Sequence, residues 1–152
     1  METPSFTFRL ERVRSLRERA EEAAREELAR ELSHRVRGEA LLRQATSAVS
    51  AARDSGRDTV LKSGASGADL LAVQAWMERV ERRRLDAAAH LDQRDAEVAR
   101  SRAALTEAAR DLEVLERLKR KRRADHDAEV LRRAQGVLDE VALSVHRRGT
   151  VT

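Results

Sequence analysis

The 152-residue sequence contains no cysteine, no tyrosine and no isoleucine, one proline and six glycines, and only 2% of it is aromatic. Each shortage closes a class of answers. Without cysteine there is no disulfide and no zinc–thiolate centre. With so few β-branched and aromatic residues, a sheet protein is excluded. No run approaches the roughly 18 apolar residues of a membrane-spanning helix. The opening Met1-Glu2-Thr3-Pro4 has neither the basic nor the apolar stretch of a secretory signal, so a cytosolic protein is expected. The scarcity of large apolar side chains also excludes a thick globular core. Ala supplies 26 of the 62 residues in the hydrophobic fraction, and Leu, Val and Phe together only 33.

What is abundant points one way. Ala, Arg, Leu, Glu and Lys make up 92 of the 152 residues, or 61%, above the half-share typical of coiled coils and long helices. Full disorder conflicts with a net charge of only +4 and with the periodicity of the apolar residues.

That periodicity predicts two helices, at about 8–55 and about 68–147, within a single domain over 1–152. A connection at about 56–67 holds three glycines and two serines. Ser66, three residues before Asp69, reads as an acidic capping box for the second helix. In that helix Leu70, Met77, Leu91, Val98, Leu105 and Leu112 repeat every seven residues, with Arg84 the exception. Val73, Val80, Ala87, Arg94, Ser101, Ala108 and Leu115 are the companion positions. A 3.5-residue repeat requires a left-handed supercoil. After Leu115 the phase slips, and Leu131, Leu138 and Val145 resume the spacing in another register. The first helix is less regular. Phe6, Val13 and Ala20 share one position beside Leu16 and Ala23, and the stripe then shifts to Leu28, Leu32, Val36, Leu42 and Val49.

Two such helices predict an all-α antiparallel coiled-coil hairpin whose second helix overhangs the first. Folding about residue 61 or 62 sets residue i opposite about 123 minus i, with Phe8 facing about Leu115. The last 30 or so residues then have no partner within the hairpin, yet keep the stripe Leu131, Leu138, Val141 and Val145.

Charge is mostly distributed as helix support. Glu21–Arg25, Glu26–Arg30, Glu31–Arg35, Glu39–Arg43, Glu78–Arg82, Glu113–Arg117, Glu116–Arg120 and Glu129–Arg133 stand in the favourable i, i+4 order. The run Arg117, Lys119, Arg120, Lys121, Arg122 and Arg123 is different, with six positive charges in seven residues. It reads either as a contact for an acidic surface or phosphate, or as a solvated run. Nucleic acid would use the same charges, but no aromatic is interleaved to stack on bases. Trp76, beside Met77, reads either as an external contact or as a ring wrapped over the seam. His34, His90, His126 and His146 form no metal-ligating spacing, and Gly64–Gly67 is not a phosphate loop. With no concave pocket expected of two helices, an enzyme is not predicted, and no cofactor or small-molecule substrate is implied.

Three segments resemble the FliJ-type flagellar export proteins. They are Phe6-x-Phe8-x-Leu10-x-x-Val13, Leu70-Leu71-x-x-Gln74-x-Trp76-Met77-x-x-Val80, and Leu115-Glu116-Arg117-Leu118-Lys119 followed by Leu138-Asp139-Glu140-Val141-Ala142. The resemblance implies a cytoplasmic component of the bacterial flagellar type III export apparatus, peripheral to the inner membrane through its partners. It implies a likeness to the two-helix stalk of rotary ATPases, insertion into the export ATPase ring, contact with the cytoplasmic domain of the export gate, and association with export chaperones. It assigns the gate contact to Trp76, Met77 and Val80. It assigns the ATPase-ring contact to Phe6, Phe8, Leu10, the basic run from Arg117 to Arg123, and Leu131, Leu138, Val141 and Val145. Ala45 and Val49 stand where family members often carry aromatics opposite Trp76. The alternatives are a nucleic-acid- or chromosome-associated coiled coil using 117–123, and a rod that self-assembles through its tail stripe.

Overall fold

The computed structural model describes residues 5–62 and 64–149; the opening Met1–Pro4, read above for a leader, lies outside them. The described residues form two helices and no strand: α1, Glu11–Leu61, and the longer α2, Gly67–Gly149. They pack antiparallel, as the heptads require. None is long and apolar enough to cross a membrane. The chain divides into two compact units, one formed by Glu22–Thr106 and the other by Met1–Glu21 with Glu107–Thr152.

In the Glu22–Thr106 unit, Val49, Ala52 and Val80 form the hydrophobic core, with Met77 packed against it. Ala52 is completely buried and no larger side chain among the described residues is, so this is a seam one residue thick. The α2 heptad faces it as anticipated: Met77, Arg84, Leu91 and Val98 with Val73, Val80, Ala87, Arg94 and Ser101 are buried or half-buried. Leu70 is exposed.

The α1 seam departs from expectation. Leu28, Leu42 and Val49 face inward, but Leu32 and Val36 are exposed. The inward positions are Leu28, Arg35, Leu42, Val49 and Gly56, interleaved with Ala24, Glu31, Gly38, Ala45 and Ala52. These keep a strict seven-residue repeat. It is hidden in the sequence because Arg, Glu and Gly occupy several of its places. Polar residues at such positions select one register at a cost in stability. Here Glu31 approaches Arg94 across the seam at 3.8 Å, and Arg35 bonds both Asp95 and Glu39. Several expected i, i+4 pairs are therefore replaced by partners across the seam or three residues away, such as Arg30 with Glu27.

The two glycines inside this seam are spacers. A Cβ on Gly56 would lie 2.9 Å from Val73 Cγ1, and one on Gly38 would lie 3.4 Å from Leu91 Cδ1. Gly56 thus belongs to α1, and the expected 56–67 connection contracts to the few residues between Leu61 and Gly67. The Lys62 amide still donates to the Asp58 carbonyl at 3.2 Å. Gly64, at φ +100°, then turns the chain through the left-handed region that favours glycine. Ser66 and Asp69 close the anticipated capping box: the Ser66 amide donates to the Asp69 carboxylate at 2.8 Å, and the Asp69 amide to Ser66 Oγ at 3.2 Å.

A later turn moves the pairing. Arg35 meets Asp95 in this unit, and in the other unit Arg14 meets Glu116 and Glu11 meets Lys119, each pair of numbers totalling 130 rather than the expected 123.

In the second unit, helix begins at Glu11 rather than near residue 8. Val13, Leu16 and Ala20 are exposed, while Arg14 is half-buried and Glu21 buried, so of the expected Phe6–Val13–Ala20 stripe only Phe6 faces α2. Ser5–Leu10 is not helical and lies on α2, where Phe8 is 9% exposed. Phe8 shares a groove with Leu118 and Arg122. From Leu131 to Gly149 α2 is exposed, apart from half-exposed Ser144.

Candidate functional site

The residues assigned to the gate contact separate by depth. Val80 is only 7% exposed and belongs to the core with Val49 and Ala52, so it offers no surface to a partner. Its heptad position, three residues after Met77, turns it into the seam. Met77 packs on the same core. Trp76, one residue round the helix, is 37% exposed. Val60, Leu61, Leu70 and Leu71 are also exposed large apolar residues of this unit. Val60 and Leu61 line a shallow groove of about 410 Å³ with Val73, Met77, Arg53 and Arg57. Val60 and Leu61 were missed because residues 56–67 read as connection; the unbroken helical spacing through Arg57 and Asp58 was the available signal.

The other assigned surface is built on the Ser5–Leu10 segment and α2. Phe6 meets the His126 imidazole edge-on, with ring centroids 5.6 Å apart, and the Arg123 guanidinium lies 6.0 Å from the Phe6 ring centre. Leu118, Arg122, His126 and Val130, each four residues apart, form the α2 wall of a groove whose other wall is Phe6, Phe8 and Leu10. That four-residue spacing was legible in the sequence, but Leu118, His126 and Val130 were not recognised as one face.

The basic run is only partly free. Arg117 and Arg120 both bond Glu113, at 2.8 and 3.3 Å, and hold its carboxyl below the usual range. Lys119 bonds Glu11 at 3.0 Å. Together with Arg14, whose hydrogen bond is the larger cause, it lowers the Glu11 pKa to about 2. Arg14 is raised in turn, first by Glu11 and then by Glu116. Arg17 bonds Asp111 at 3.0 Å nearby. Lys121 and Arg122 have no acidic partner among the described residues.

Beyond this groove, Leu131, Leu138, Val141 and Val145 are all more than half exposed. At 3.6 residues per turn, their stripe sits roughly 120° round α2 from Arg122, His126 and Glu129. The unit therefore carries two distinct faces, one occupied by the N-terminal segment and one apolar and open. Among the described residues no group of three or more His, Asp and Glu converges as a metal site.

Comparison with known proteins adds one result. No curated protein and no solved structure matches the chain. The family model for the flagellar FliJ protein matches residues 6–150. That match covers both helices and the Phe6–Phe8 segment, so the chain belongs to the flagellar FliJ protein family and is a component of the flagellar export apparatus.

Proposed function

We propose that the chain is a non-enzymatic adaptor that binds the export ATPase ring with one unit and the cytoplasmic domain of the export gate with the other. The observation that carries this reading is that each unit has its own exposed apolar surface on an otherwise charged helical scaffold. Trp76, Leu71, Val60 and Leu61 are exposed apolar residues of one, and Leu131, Leu138, Val141 and Val145 of the other. Exposed apolar surface that a small helical protein leaves unburied is a mark of partner binding.

In this reading Trp76 is the gate anchor, and Met77 and Val80 act from beneath by packing its helix onto α1. The open stripe of α2, with Leu10 and the basic run from Arg117 to Arg123, faces the ATPase. Phe8 serves that surface by fixing the N-terminal segment, with Phe6 beside it. The chain works in the cytoplasm, reaches the inner membrane through its partners, and takes part in recycling export chaperones. The nucleic-acid reading is weaker, because Glu113 and Glu11 already engage Arg117, Arg120 and Lys119.

Point substitutions test each half in the full chain. Leu138→Asp with Val141→Asp should abolish retention of the purified ATPase while circular dichroism keeps the native helicity. Trp76→Ala should weaken binding of the isolated gate domain and leave ATPase binding intact. Retention of both partners by both variants would overturn the assignment.

A further inference from the structure

We propose that the groove between the Ser5–Leu10 segment and α2 is a docking site for an acidic peptide segment that presents a bulky apolar side chain between carboxylates. The inference deepens the reading of this unit as a partner-binding surface and rests on it.

The groove encloses about 820 Å³, within the size range of ligand pockets of roughly 300–1,000 Å³. Its walls carry apolar side chains, Phe6, Phe8 and Leu10 on one side and Leu118 and Val130 on the other, with Arg9, Arg122, His126, Glu129 and Arg133 between and beside them. Its charge is one-sided. Arg133 is engaged by Glu129 at 3.1 Å. Arg9 and Arg122 line the same groove with no acidic partner among the described residues. An apolar trough edged by two guanidinium groups that no described carboxylate engages favours an occupant with the reverse pattern. Its apolar side chain would lie against Phe6 and Leu118, and its carboxylates would take bidentate hydrogen bonds from Arg9 and Arg122. A polynucleotide satisfies the charges but has no aliphatic side chain for the trough. A second copy of this chain is a rival occupant, because its exposed Leu138-Asp139-Glu140-Val141 also sets apolar side chains beside carboxylates, though in the reverse order.

The test uses the full chain and a fluorescein-labelled synthetic hexapeptide, a Leu-Phe pair between two Glu-Asp pairs, followed by anisotropy. The expected result is binding that the Gln-Asn version of the peptide does not reproduce. Arg122→Glu and Arg9→Glu should each weaken it at least about tenfold, the scale of one charge-assisted contact. Lys121→Glu, in the same basic run but off the groove, should change it less than about threefold. Equal losses from Lys121→Glu and Arg122→Glu would mean general charge attraction and overturn the proposal, as would absence of peptide binding. A concentration-dependent dimer in sedimentation that the peptide dissociates would assign the groove to a second copy and also overturn it. ATPase retention by the same variants separates the two readings. Peptide binding that requires Arg122, in a chain that never retains the ATPase, defeats only the ATPase assignment. ATPase retention with peptide binding indifferent to Arg122 defeats only the groove.

Discussion

Replacing Gly56 and Gly38 with alanine separately isolates how closely the helices approach. Both glycines lie within α1 and both are buried. In each case alanine improves the intrinsic helix preference by about 1 kcal/mol. The sites differ in what the new methyl meets. At Gly38 it would lie 3.4 Å from Leu91 Cδ1 and 3.8 Å from Arg94 Cγ, both ends or middles of flexible side chains. At Gly56 it would lie 2.9 Å from Val73 Cγ1. Valine is stiff at χ1, so that methyl retreats only if the backbone moves. Overpacking of this kind costs about 1–3 kcal/mol. Gly38→Ala should therefore be stabilising by up to about 1 kcal/mol. Gly56→Ala should range from neutral to destabilising by about 2 kcal/mol, the difference of the two effects. Thermal unfolding followed at 222 nm should separate the two variants by several degrees, at about 2–4 °C per kcal/mol for a chain of this size. Equal stabilisation by both substitutions would refute the close approach at Gly56 and, with it, the α1 register in which Gly56 faces Val73.

Other outcomes follow from the same packing. Val80→Ala should destabilise by about 2 kcal/mol, the transfer cost of two methyl groups plus a small cavity, in urea titration. Ser66→Ala should cost about 1 kcal/mol by breaking the capping box, seen as earlier urea unfolding of the Glu22–Thr106 unit. Acid should loosen the Glu11 clamp. Its folded pKa, about 2, lies below the ordinary 4.5, so its stabilising contribution is present above pH 4.5 and disappears as the pH falls toward 2. Glu113, Glu81 and Asp69 are shifted in the same direction and add to this loss. A pH titration of helicity should therefore fall through this window, and Glu11→Gln should flatten part of the fall.

The sequence alone determined the all-helical hairpin, the α2 seam and the Ser66–Asp69 cap, because each is written in local spacing. Seven-residue repeats of Leu, Met and Val name their own buried face, and a capping box needs only residues three apart. It also held enough of the Phe6, Trp76 and Leu138 segments to suggest the family. Tertiary structure alone decided the α1 seam, since Arg35, Glu31, Gly38 and Gly56 face inward for what they meet on α2 and not for their own hydrophobicity. It likewise moved the turn: Gly56 reads as a helix breaker until Val73 is seen to fill the space that a side chain would take. Burial then divided neighbours that the sequence had grouped together. Trp76 remains at the surface because it stands one residue, or 100°, round from the seam position Met77, whereas Val80 is itself a seam residue; Phe8 is spent on α2 while Leu138 stays open, because α1 begins at Glu11 and leaves no described residue opposite Leu138. The opening scarcity of large apolar side chains has the same root. A seam one residue thick needs few of them, and those left outside it are the surface available to partners.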